Sequence, residues 1–126
     1  MYDVDVSDLA YPCIVWVCRR IGLSISIQDF FELETVPYDK SIAVPGTIIK
    51  MEDSEDYRSS AVKMEGNLII SDYINMACHY AVIEKDDIVS EVVWHEQYLP
   101  VIQYRHLSKI RRPLRMILPE TYQKYK

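Results

Sequence analysis

The chain has 126 residues, of which 49% are apolar and 26% charged. These values fit one globular domain with a single core and exclude both wholesale disorder and two ordinary domains. The net charge of −5 is uneven: from Arg105 onward seven Lys and Arg side chains face Glu120 alone, whereas Met51–Asp56 and Glu84–Asp87 are acidic.

Taken in chain order, the first element expected is a helix. Ser7 or Asp8 offers a cap, and Pro12 suits a first-turn position where no amide partner is needed. Ile14, Val15, Val17, Cys18 and Ile21 then describe a helix buried around much of its girth. Gly22 ends it, and Arg19 and Arg20 complement the dipole in the last turn. Leu23–Ile27 alternates like a strand or an extended linker, and Phe30, Phe31 and Leu33 add a short helical turn behind Gln28 and Asp29.

From Ser41 the pattern changes to short β-branched runs: 42–44, 47–49, 61–64, 68–70, 80–83 and 88–93. Turn chemistry at Pro45-Gly46, Glu65-Gly66-Asn67 and Lys85-Asp86-Asp87 separates them. Val101–Arg105 supplies a last strand. The expected fold is α+β, an N-terminal helix packed on an antiparallel sheet. Residues 1–104 form the expected domain. Residues 105–126 read as a basic, proline-punctuated tail, extended along a surface past Pro113 and Pro119.

That tail, through Arg105, Lys109, Arg111, Arg112 and Arg115, is the expected contact to other proteins of an assembly. Ten tyrosines suit interfaces, since the ring buries area while the hydroxyl tolerates water. Nucleic acid is disfavoured, because no aromatic–basic alternation or glycine-rich loop accompanies the charge. No apolar stretch is long enough to span a membrane, and the N-terminus has none of the regions of a signal peptide. Cytoplasmic synthesis is expected, with incorporation into a virion as one destination.

Cys13, Cys18 and Cys78 make no even disulfide framework and no Cys-x-x-Cys pair. His79, His95 and His106 lack a ligand spacing, so no metal is expected. The residues with chemical potential are Cys13, His79 and Glu91. A thiol attacks a carbonyl only as thiolate, and a helix N-terminus beside an imidazole favours that form. Cys13, directly after Pro12, has that position; Cys18 lies deeper in the helix and reads, like Cys78, as a core thiol. His79 opens an apolar run as the base. It needs a group to set its tautomer, which Glu91, or in second place His95, supplies from the next run. His106 reads as solvated.

At these residues the chain resembles the papain-like hydrolases of the CHAP and NlpC type. Cys13-Ile-Val-Trp-Val-Cys-Arg-Arg-Ile-Gly22 is similar to their nucleophile helix. His79-Tyr-Ala-Val-Ile83 is similar to their histidine strand, and Ser90-Glu91 to the strand that follows. The resemblance implies a partly barrel-like sheet against the cysteine helix, catalysis by Cys13, His79 and Glu91, and a peptidoglycan peptide or amide substrate without a cofactor. It further implies a phage tail-tip setting. A different alignment, anchored on Gly22, puts Ala10 at the nucleophile and Ser59 or Ser60 at the histidine, which implies a catalytically dead relative. Two non-enzymatic readings stand beside the hydrolase: an assembly component with a degenerate papain-like fold, and a small inhibitor of a host protein.

Overall fold

The computed structural model describes residues 12–52, 79–94 and 100–126. The helix expected after Pro12 is present as α1, Pro12–Ile21. Its run of β-branched residues is a poor helix former in isolation. Burial decides instead, because Cys13, Ile14, Val17 and Cys18 all lie in the core while Arg19 and Arg20 stay in solvent. Gly22 takes φ +76°, and the amides of Gly22 and Leu23 both donate to the Cys18 carbonyl, closing the helix in a left-handed turn.

A Cβ at position 22 would meet nothing within 4 Å, so Gly22→Ala should cost only the backbone strain, about 1 kcal/mol. Gly46, at φ +93°, would place its Cβ 3.1 Å from the Tyr122 hydroxyl. Gly46→Ala should therefore lower the urea midpoint more than Gly22→Ala does.

Leu23–Ser26 is an extended linker, with Leu23 and Ile25 buried. Ser26 then caps the short helix α2, Ile27–Phe31, by accepting from the Asp29 amide at 3.1 Å. The run 42–44, expected as a strand, is not one. Ile42 and Val44 are exposed, and an Asp39–Ser41 turn and the bend at Gly46 hold this stretch in turns.

The sheet consists of β1 (Val36–Pro37), β2 (Ile48–Met51), β3 (His79–Lys85), β4 (Ile88–Trp94), β5 (Pro100–His106) and β6 (Leu114–Ile117). Its order is β1-β6-β2-β3-β4-β5, every pair antiparallel. Among the described residues it is open, so the α+β expectation holds as an open sheet. The runs 61–64 and 68–70 and the turn at Gly66 lie outside the described residues. Asp86, at φ +50°, makes the tight turn between β3 and β4 where Lys85-Asp86-Asp87 forecast it.

The pleat divides the core. Ile48, Tyr80, Val82 and Ile117 face α1, where Phe30 meets Tyr80 edge to face. Ile49, Met51, Ala81, Ile83, Val89 and Met116 fill the opposite face with Leu107. α1 lies chiefly against β3 and β4. On its outer flank Trp16 donates to Ser90, Ser90 donates to Glu84, and Arg20 pairs with Glu84, tying helix to hairpin.

The expected tail is a correction. A boundary after residue 104 falls inside β5, and β6 is an inner strand between β1 and β2. Met116 and Ile117 are buried on opposite faces. A strand covered on both sides loses the apolar–polar alternation that would have announced it. Pro119 starts a further short helix, α3 (Pro119–Tyr122), rather than prolonging an extended segment. Tyr122 then enters the core and donates to the Gly46 carbonyl at 2.7 Å. Several cations assigned to docking are used internally. Arg112 donates to the carbonyls of Glu52 and Met51, Arg115 to Thr35, and Arg105 to Glu91. Lys109 and Arg111 remain exposed.

Candidate active site

Three side chains far apart in the chain meet at one end of the sheet. Pro12 opens α1, so Cys13 lies in its first turn, whose amides have no intrahelical acceptor. His79 is the first residue of β3, and Glu91 lies mid-strand in β4. The β3–β4 register pairs Val82 with Ser90. Counting outward from that pair sets Glu91 and His79 on one face as diagonal neighbours, the face of Ala81 and Val89 that points away from α1. Starting the strand lets the imidazole reach α1 as well.

The contacts form a relay. His79 Nε2 lies 2.8 Å from Glu91 Oε1, and the Cys13 sulfur is close enough to the imidazole to help raise it. With Nε2 committed to the carboxylate, Nδ1 is the nitrogen left for sulfur. Glu91 is completely buried and draws on β5. Gln103 Nε2 donates to Oε2 at 2.8 Å, and Arg105 Nη2 donates to Oε1 at 2.9 Å. Arg105 Nε stands 2.7 Å from Oε2 yet makes no aligned hydrogen bond, so that contact is one of charge alone.

Charge follows from these partners. Burial by itself would raise the Glu91 carboxyl, but His79, Gln103 and Arg105 hold it down, from 4.5 to about 2. Burial would lower the imidazole of His79, and the nearby Cys13 sulfur and the bond to Glu91 overcome this, lifting it from 6.5 to about 9. At neutral pH the ring is an imidazolium that donates to the carboxylate, with the Cys13 sulfur beside it. Cys18 differs: burial, reinforced by Cys13, pushes its thiol from 9.0 to about 12.

Stability should follow pH accordingly. The raised His79 contributes fully below pH 6.5 and loses its contribution as pH climbs through about 9. The depressed Glu91 contributes fully above pH 4.5 and loses its contribution as pH falls toward about 2. A lift of the size seen for His79 corresponds to on the order of 3 kcal/mol. Urea midpoints should therefore be highest between pH 4.5 and 6.5 and decline on both sides. A flat profile through pH 9 would mean that His79 is not held as an imidazolium.

Of the sequence-derived candidates, Cys13, His79 and Glu91 come together. Cys18 is a buried core thiol, and His106 is exposed, accepting from the Ser108 amide. Cys78 and His95, with Ala10, Ser59 and Ser60 of the alternative alignment, lie outside the described residues. Gln103 and Arg105 were missed as site residues. The available signal was their i, i+2 spacing on a strand running beside a lone glutamate.

Among the described residues no group of His, Cys, Asp and Glu could hold a metal ion. No helix there is long and apolar enough to cross a membrane. Comparison of the chain with protein-family models, curated proteins and solved structures finds no match.

Proposed function

We propose that this chain is a cysteine hydrolase acting on peptide or amide bonds, with Cys13 as nucleophile, His79 as acid–base and Glu91 as orienting carboxylate. One observation carries the reading: the imidazole bonded to the buried Glu91 carboxylate has the Cys13 sulfur as its other neighbour. In the reaction the Cys13 sulfur would bond to the substrate carbonyl carbon, and the first-turn amides of α1 would be the donors for the developing oxyanion. The C–N bond then breaks as His79 passes its proton to the departing amine, leaving a thioester. His79 next takes a proton from water, whose oxygen attacks the thioester, releasing the acid and restoring the thiol. A papain-like ancestry, a cell-wall peptide substrate and a phage-particle setting rest on the order of the three residues along the chain.

A different observation favours the assembly-component reading. Cys13 is only 3% exposed and belongs to the same apolar cluster as Ile14 and Val17. A thiol sealed there would serve packing alone.

Iodoacetamide labelling, mapped by mass spectrometry at neutral pH, separates the two. A hydrolytic Cys13 should be alkylated roughly tenfold or more faster than Cys18, because the thiolate is the reacting species. Equal, slow labelling of both would leave Cys13 a packing residue and favour the assembly role.

A further inference from the structure

We propose that Arg105 is a positioning residue of the relay, its guanidinium holding the Glu91 carboxylate in the orientation that aims His79 at Cys13. This rests on the hydrolytic reading above and adds the group that steers it.

A glutamate carboxylate turns freely about its last torsion, whose energy wells are broad. With Gln103 alone, Glu91 would be fastened at Oε2, and Oε1 could swing away from the imidazole. Arg105 limits that freedom through one hydrogen bond, Nη2 to Oε1 at 2.9 Å, and one contact of charge, Nε at 2.7 Å from Oε2. Oε1 is also the oxygen that receives His79 Nε2, so the guanidinium and the imidazole share one acceptor. Arg105 is itself braced, its Nη2 lying 3.6 Å from the Met51 sulfur on β2. The planar fork of arginine suits this role, and a lysine ammonium would supply the charge without the span.

The β4–β5 register makes the arrangement possible. Glu91 pairs with Gln103 and Val89 with Arg105, so the two β5 side chains flank the carboxylate on its own face. Among the described residues, the charged and titratable groups meeting the relay are few. Cys13 and Cys18 come from α1, His79 from β3, Glu91 from β4 and Arg105 from β5. Glu84 and Arg20 pair with each other on the helix flank.

The test is the pH profile of Cys13 alkylation by iodoacetamide in the full chain, for the wild type, Arg105→Gln and Arg105→Lys. Removing a positive charge favours the protonated form of every neighbour. The acid and basic limbs of the Arg105→Gln profile should therefore both move upward, by about half to one pH unit. Its plateau should fall about tenfold as the imidazole loses its aim. Arg105→Lys should keep the wild-type limbs while its plateau still falls. A purely structural role would change the folded fraction and leave the Arg105→Lys plateau, corrected for that fraction, at the wild-type level.

Unshifted limbs in Arg105→Gln, or a wild-type plateau in Arg105→Lys, would overturn the proposal. Should Arg105→Gln fail to fold, the Arg105→Lys plateau decides. A wild-type Cys13 that titrates no differently from Cys18 would overturn the relay and Arg105's role together. Wild-type limbs with unaltered variants would overturn Arg105's role alone.

Discussion

On the proposed hydrolytic reading, Cys13→Ala should abolish any hydrolysis of purified cell-wall material, with turnover at least ~10³-fold below wild type, while the protein stays folded. The size of the loss follows from the chemistry. Among the described residues the other thiol cannot take its place, since Cys18 is held to about 12 by burial and lies in the core. The structural cost is small: one buried sulfur is removed and a short apolar side chain remains, worth about 1 kcal/mol. His79→Ala should slow turnover comparably, and the double variant should be no slower than either single one, because the two residues act as a unit. Urea denaturation of the same samples keeps a loss of activity distinct from a loss of fold. Undiminished turnover in Cys13→Ala would show that the thiol takes no part in the reaction.

Glu91→Ala should be the most destabilising single substitution at the site, by about 3–5 kcal/mol. The carboxylate is fully buried and is the shared counter-charge of His79 and Arg105, as well as the acceptor for Gln103. Its removal leaves two cations facing each other at the end of the sheet without compensation. Glu91→Gln keeps a hydrogen-bonding side chain of similar shape and should cost less, but it too removes the charge. Its deficit against wild type should shrink as pH rises through about 9, where the wild-type imidazolium itself is lost. The Arg105 share of the deficit should persist. Denaturant midpoints of the two proteins at pH 6 and pH 10 read this directly, and a deficit independent of pH would separate Glu91 from His79.

Local chemistry made several elements legible in advance. Pro12 and Gly22 bracket α1 because one lacks an amide that a first turn does not use and the other accepts φ +76°. Asp86 and its neighbours announce the β3–β4 turn by the same kind of reasoning. The candidate triad was legible through chain order, since a thiol at a helix start and an imidazole at a strand start place both groups at element ends. The stretch 42–44 misled because β-branched composition signals a strand only where a partner edge exists. Turns at Asp39–Ser41 and Gly46 deny it one.

Long-range pairing was not legible. Leu114–Ile117 looks like part of a basic tail until β1 and β2 are seen on either side of it, with Met116 and Ile117 buried on opposite faces. Arg105 looked like a free cation for the same reason: its partner Glu91 lies 14 residues away and reaches it only through the β4–β5 register. By itself, then, the sequence determined which side chains carry reactive groups and where single elements begin and end, because capping, turn chemistry and pleat act over a few residues. Only the tertiary structure decided that the C-terminal segment completes the sheet, and that an arginine rather than solvent lies behind the buried carboxylate. Those outcomes depend on strand order and register, which are set by burying two faces of a sheet at once and leave no mark on any short stretch of chain.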